Sequence, residues 1–468
     1  MARANGTFMV HTSLLFNPST KSFLKDITIV VDRDSGSIAR VVKRAAEPGD
    51  TRRKLTLAAG DVDLRGKVVL PGFVDSHSHI FLHAYAERSA TEQMRDESAV
   101  ERTVRATNHA RAALLAGYTT YRDLGTEALG NADANFRDCI NRGLIPGPRM
   151  FVITEAIASN GSYEIRVENT TPGMGLVVPR ASDPADGPQG VRAAVRRRVG
   201  AGADLIKFYA DYRRKIMRFP PSKTQGIRFL PARPNPAVPL FSQEEMDMIV
   251  QEAKLAEMPV AAHAIETRTA LMAARAGVTT VEHIFEDTHG DMEELFQVMR
   301  KNKVIWVPTL AIGEIEVPDD MFQAHKVAVK KAHESGVRLA TGGDTGPFNH
   351  GLNAREMEIM IEAGVPVEDV LEACTVGGWE ACGGDLCGFR FGWFEKGNRA
   401  DIIALDTDPR MDKKALRKVS FVMKDGRIWK QNGVAVDMIS NSMWPPSEDE
   451  AEEGSSEEWT DLGGDEAW

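Results

Sequence analysis

Apolar and polar residues alternate at both ends of the chain and change rhythm in between. Phe8 to Phe16, Ile27 to Val31 and Ile38 to Val42 have the two-residue period and β-branched content of strands, and Asp34-Ser35-Gly36 is a turn between the last two. The same rhythm returns late in the chain, in Asp401 to Leu405 and Val419 to Met423. The second of these leads into the hairpin signal Lys424-Asp425-Gly426-Arg427. Two β-rich ends around a different middle predict one small β-sandwich domain built from residues 1–68 and 389–440.

In the middle, short apolar runs alternate with helical spacing. Counting from Val69, the strands are Val69 to His79, Tyr118 to Asp123, Arg149 to Thr154, Asp204 to Phe208, Val260 to His263, Thr279 to His283, Val304 to Pro308 and Arg338 to Asp344. Helices are expected over Glu97 to Leu115 (stopped at Gly117), Gly190 to Arg198, Gln243 to Leu255 (started by Ser242), Arg268 to Ala276, Met292 to Arg300 and His325 to Ser335. Repeated βα units of this number predict an α/β fold with a (β/α)8 TIM-like barrel over residues 69–388. A doubly wound open sheet is the alternative, but no Gly-rich dinucleotide fingerprint follows an early strand. Two Pro- and Gly-rich insertions, Ser159 to Gly187 and Asp211 to Pro239, leave the C-terminal ends of strands three and four. In a barrel that rim carries the active site, so both are expected to shape a pocket.

Composition changes this picture in two places. The net charge of −10 is carried by the end of the chain: Ser447 to Trp468 holds ten acidic residues and no Lys or Arg. The remainder is near neutrality, which argues against a nucleic-acid partner, and residues 441–468 are expected to be a disordered acidic tail. The first residues lack the apolar core of a signal peptide, and no run approaches the ~18 apolar residues that would span a bilayer. A soluble cytoplasmic homo-oligomer without membrane partners is expected, its four cysteines reduced.

The candidate chemistry lies at the strand ends. His77 and His79 are one residue apart in an extended chain, so both side chains fall on one face. Lys207 ends strand four, His263 strand five, His283 strand six and Asp344 strand eight. On a barrel these positions converge on the axis at the top. Four imidazoles, a carboxylate and a lysine suit one or two borderline divalent ions such as Zn²⁺. An ordinary cationic anchor for substrate is one role open to Lys207.

This set of residues, His-x-His, Lys, His, His and Asp on strands one, four, five, six and eight, resembles the amidohydrolase superfamily. The supporting phrases are Val69-Leu70-Pro71-Gly72-Phe73-Val74-Asp75, Gly117-Tyr118-Thr119-Thr120, Val281-Glu282-His283, Thr341-Gly342-Gly343-Asp344 and Gly397-Asn398-Arg399-Ala400-Asp401-Ile402. Within it the chain is most similar to the prolidase-like, Xaa-Pro/arginine carboxypeptidase-like and ochratoxin-hydrolysing amidase-like branch. The resemblance implies two divalent metal ions. His77, His79 and Asp344 would hold the first, His263 and His283 the second, and a carboxylated Lys207 would bridge them. It implies hydrolysis of an amide C–N bond in a dipeptide or N-acyl amino acid by metal-activated hydroxide, with Asp344 carrying the proton to the leaving nitrogen and His283 assisting.

Substrate residues are expected on the two insertions. Ser159-Asn160-Gly161-Ser162-Tyr163 replaces the Gly-Gly-His-like turn frequent in relatives, which makes Tyr163 a candidate contact. After strand four, Tyr209 is expected to donate to the oxyanion, and Arg213 or Arg214 to pair with a substrate carboxylate; a solvated basic loop is the other reading of this stretch. His350, six residues past Asp344, is expected to touch substrate. The enzymatic alternatives are a cyclic-amide (imidazolone-like) hydrolase or a mononuclear deaminase, against which Lys207 weighs; a non-catalytic scaffold is a third.

Overall fold

A computed structural model of the chain describes residues 6–44, 57–160, 162–163, 179–213, 237–286, 290–436 and 438. The expected acidic tail, Arg214 and most of both insertions lie outside the described residues.

Eight parallel strands form the middle of the chain: β1 (Phe73–Ser78), β2 (Tyr118–Asp123), β3 (Arg149–Val152), β4 (Ile206–Tyr209), β5 (Val260–Glu266), β6 (Thr280–Glu286), β7 (Ile305–Val307) and β8 (Arg338–Leu339). β1, β2 and β3 make one sheet, and β4 to β8 belong to a second, which is extended beyond β4 by short strands at Ala156–Ala158 and Ser182–Pro184. Backbone hydrogen bonds join the two sheets at both edges. Ser76 N–H donates to Thr341 O (2.9 Å), Thr345 N–H to His77 O (3.1 Å) and His79 N–H to Thr345 O (2.7 Å), linking β1 to the segment after β8. On the other side Asp204 N–H donates to Val152 O (2.7 Å). The strands are buried along nearly their whole length, as sheets covered on both faces must be.

The helices follow their start signals. α1 (Ala99–Leu115) begins where the Ser98 side chain accepts the Glu101 N–H at 3.1 Å. α2 (Gln243–Leu255) begins in a reciprocal capping box: Ser242 Oγ accepts the Glu245 N–H at 3.3 Å, and Glu245 Oε2 accepts the Ser242 N–H at 2.7 Å. The helix expected from His325 starts earlier, as α3 (Asp319–Glu334). Pro318 caps it, and Asp319 and Asp320 place negative charge at its N-terminal dipole.

The first expected strand is in fact two. Val69 and Leu70 pair with Ala404 and Ile403, and so belong to a strand, Val62–Pro71, that ends before β1. Pro71 and Gly72 separate them: proline has no N–H to give to a ladder, and a Cβ on Gly72 would lie 2.1 Å from Thr119 Oγ1. Val62–Pro71 sits in a nine-stranded sheet that gathers both ends of the chain, next to Thr7–Asn17 on one side and Ile402–Leu405 on the other. The Asp425-Gly426 hairpin has φ of 52° and 75°, the left-handed pair that a two-residue turn needs to match strand twist. The far edge, Ser37–Lys43, returns to residues 397–400: Ile38 N–H donates to Asn398 O and Gly397 N–H to Ile38 O, both at 2.8 Å. The sheet therefore curls around its own apolar core, which includes Phe8, Ile29, Val31, Ile402 and Phe421.

One buried arginine ties this sheet to the parallel strands. Arg149, at the start of β3, donates to Thr120 Oγ1 (3.1 Å), Asp401 Oδ2 (2.8 Å) and Asp425 Oδ1 (2.5 Å). Burial raises the Asp425 carboxyl, but Arg149, Lys424 and Arg399 outweigh it and hold the group at about 2. Arg149→Met leaves Asp401 buried and unpaired, and a loss of roughly 3–5 kcal/mol is expected in urea titrations at pH 7. Asp425 has a folded value below the ordinary 3.8, so its contribution is present above that pH and is lost as pH falls towards 2. The gap between wild type and variant should narrow over that window. A gap independent of pH would show that Asp425 takes no part.

Candidate active site

The ends of β1, β5, β6 and the segment after β8 meet at one place. Asp75 fixes the end of β1. Its Oδ1 accepts the His77 N–H (3.0 Å), and its Oδ2 accepts Thr345 Oγ1 (2.8 Å) and Asn353 Nδ2 (2.6 Å). His77 Nδ1 is bonded to Glu282 Oε2 at 2.9 Å, which leaves Nε2 3.6 Å from Asp344 Oδ1. His79 Nε2 lies 3.2 Å from the same oxygen, while its Nδ1 bonds Gly125 O at 3.2 Å. Ligand atoms of His77, His79 and Asp344 all fall within 4.8 Å of one another. His283 Nδ1 bonds Thr309 Oγ1 at 2.9 Å. The His283 ring centroid is 4.9 Å from that of His77 and 4.5 Å from that of His263.

Burial and mutual charge set the protonation of this group. Burial pushes His77 down to about 4, with Lys207 adding to the shift. His263 and His283 are held well below the ordinary imidazole value by burial and by their cationic neighbours, Lys207 among them. All three are neutral at pH 7, the form in which imidazole ligates metal. Burial also brings Lys207 down to about 8. Asp344 is held well below the carboxylate range because His77 and His79 outweigh its desolvation. His79 goes the other way, up to about 9, since Asp344 and Glu127 outweigh burial.

Three residues here have left-handed backbones that side chains rarely adopt: Glu127 (φ 51°), His283 (φ 77°) and Asp344 (φ 59°). Strain of this kind, on the order of 1–3 kcal/mol per residue, is kept where surrounding structure enforces it.

A cavity of about 320 Å³ opens over the group. Lys207 and all the histidines just named line it, as do Tyr163, Tyr209 and Arg213, so most of the expected site residues share one wall system. Tyr209 is stacked on Tyr163 (centroids 4.4 Å), and the His263 ring lies tilted to it at 4.6 Å. His350 is a correction. It is buried behind the cavity, stacked on His109 at 4.3 Å with Nε2 bonded to Leu82 O at 3.2 Å, because the chain turns away after Gly346.

Four neighbours lie outside the expected set. Tyr85, Tyr212 and Glu127 also line the cavity, and Arg122 donates to Glu282 Oε1 (2.8 Å) and Ser76 O (2.5 Å) beneath it. Arg122 and Glu127 follow Gly117-Tyr118-Thr119-Thr120 in the sequence, and charges at a strand end are the signal that could have found them.

A model of the amidohydrolase family matches residues 68–430. The chain belongs to the amidohydrolase family. It is a hydrolase of amide carbon–nitrogen bonds, and members of the family generally use divalent metals. Over 410 residues it is 28% identical to the ochratoxinase of Aspergillus niger, covering 79% of this chain and 77% of that one. A Xaa-Pro dipeptidase crystallised with methionine in its active site is 28% identical with a TM-score of 0.71, over 91% of this chain and all of the other. The crystal structure of A. niger ochratoxinase gives a TM-score of 0.70 at 24% identity, over 92% and 98% of the two chains, a likeness of fold.

The amidohydrolase has no room for a side chain at position 342. A Cβ on Gly342 would lie 2.6 Å from His77 N and 2.8 Å from Val307 Cγ1. Gly342→Ala should therefore cost on the order of 1–3 kcal/mol, read as a lower urea midpoint at unchanged slope. An unchanged midpoint would mean that the segment after β8 does not press on β1.

Proposed function

We propose that the chain is a binuclear metal-dependent hydrolase of small amides that carry a carboxylate, of dipeptide or N-acyl amino acid type. The observation behind this reading is the convergence of four imidazoles, with His77, His263 and His283 neutral, Lys207 and an ionised Asp344 on one cavity. The eight parallel strands are read as a closed (β/α)8 barrel, supported by the hydrogen bonds at both sheet edges. The curled terminal sheet is read as a separate sandwich domain.

The donor set fits divalent ions. Among the described residues His263 Nε2 is buried without a hydrogen-bond partner, although such atoms are rarely left so. His77, His79 and Asp344 would hold one ion, His263 and His283 a second, with Lys207 as a carbamate between them. Bound there, the ions supply Lewis acidity towards a carbonyl oxygen and lower the pKa of water towards neutrality.

The rest is done by the chain. Glu282, an acceptor only, fixes the tautomer of His77 through Nδ1, and Thr309 bonds Nδ1 of His283, which leaves each Nε2 for the site. Asp344 accepts a proton at its carboxylate and passes it to the leaving nitrogen, with His283 beside it. Tyr209 donates from its hydroxyl to the developing oxyanion, and its pKa, raised well above 10 by burial, keeps that proton in place. Arg213, exposed at the cavity mouth, is placed to meet the substrate carboxylate.

Metal analysis of the purified protein should give near two equivalents of Zn²⁺ per chain, falling towards one in His263→Ala; near zero in the wild type would end this reading. Tyr209→Phe should lower kcat for a cleaved dipeptide or N-acyl amino acid by roughly 10²–10³-fold at unchanged metal content. An unaltered kcat would remove Tyr209 from the oxyanion role.

A further inference from the structure

Outside the histidine and aspartate group, one buried carboxylate lines the cavity among the described residues. Glu127 is 5% exposed and stands on a left-handed backbone, followed by Ala128, also left-handed at φ 73°. Its turn is held rigidly. The buried Arg102 guanidinium donates to Glu127 O (2.7 Å), Thr126 O (3.1 Å) and Phe81 O (3.3 Å). Those donors are committed to backbone carbonyls, so Arg102 fixes where Glu127 sits without a bond to its carboxylate. Tyr163 donates its hydroxyl to Glu127 Oε2, and Oε1 lies 3.3 Å from His79 Nδ1. A carboxylate has about four acceptor positions, and these contacts occupy two. Tyr163 is in turn stacked on Tyr209, which ties the carboxylate to the aromatic wall.

We propose that Glu127, oriented by Tyr163, binds the ammonium group of the substrate, so that the amidohydrolase prefers dipeptides with a free α-amine to N-acylated amino acids. This inference rests on the hydrolytic reading above and narrows it. The cavity wall then carries a buried anion, Glu127, and an exposed cation, Arg213, with a second carboxylate, Glu316, exposed on the same wall; Glu127 and Arg213 give the charge pattern of a zwitterionic dipeptide whose amide lies between. An N-acyl substrate has no cation for Glu127 and would cover its remaining acceptor positions without pairing them.

The test uses full-length Zn²⁺-loaded enzyme and three matched pairs: Met-Phe, Met-Pro and Met-Arg, each with and without an N-acetyl group. Within each pair the bond to be cleaved is the same. The free-amine member of a cleaved pair should have a kcat/KM at least about tenfold higher. In Glu127→Gln that preference should collapse to about onefold, because the free dipeptide loses about tenfold more than its acetylated partner, whatever both lose through His79. Tyr163→Phe should shift the ratio the same way by less. Retained cleavage of the acetylated member is also the control for folding and metal loading. Equal loss on both members would overturn the proposal, since that is the result if Glu127 only positions His79. So would a wild-type preference for the acetylated member, which would leave amide hydrolysis standing. Cleavage of none of the six would remove the dipeptide and N-acyl amino acid reading and this inference together.

Discussion

Glu282 is a carboxylate with no exposed surface, and the site depends on how it is neutralised. Arg122 from β2 reaches its Oε1 at 2.8 Å, and His77 from β1 its Oε2 at 2.9 Å. The Thr280 hydroxyl donates to Oε1 as well. Burial alone would raise this carboxyl; Arg122 and His77 hold it at about 2. Three strands are thereby locked by one anion, and the same bond that satisfies the anion sets the tautomer of His77. Structural order and ligand orientation are one interaction here, which is why a buried charge of this cost is kept.

Much of this is legible in the chain. The His77-x-His79 pair, Lys207, His263, His283 and Asp344 can be placed on one rim because each ends an apolar run, and a parallel repeat sends all its strand ends the same way. The limits of α2 are readable because Ser242 and Glu245 are local signals that nothing distant overrides. The break between Leu70 and β1 is not, since the partners of Val69 and Leu70 lie more than 300 residues later, at Ala404 and Ile403. His350 fails for a related reason. Sequence distance from Asp344 carries no direction once a turn such as Gly346, at φ 145°, intervenes.

The functional residues that the pattern misses share a character. Glu127, Tyr85 and Tyr212 sit outside the eight parallel strands, on the segments that connect them, where side-chain direction follows from backbone angles that the βα repeat does not encode. At Glu127 the left-handed backbone is enforced from outside, by Arg102, a donor with no local signature. Here the histidines, Lys207 and Asp344 read from strands, and most of the rest of the cavity wall from the segments between them.

The clasp at Arg149 orders events during synthesis. Its anionic partners, Asp401 and Asp425, are 252 and 276 residues further on, so they leave the ribosome long after β3. Until then the guanidinium must stay hydrated, and the face of β3 and β2 that it shares with Thr120 cannot close. The charge on β3 is thus neutralised only when residues as far along the chain as Asp401 and Asp425 are in place.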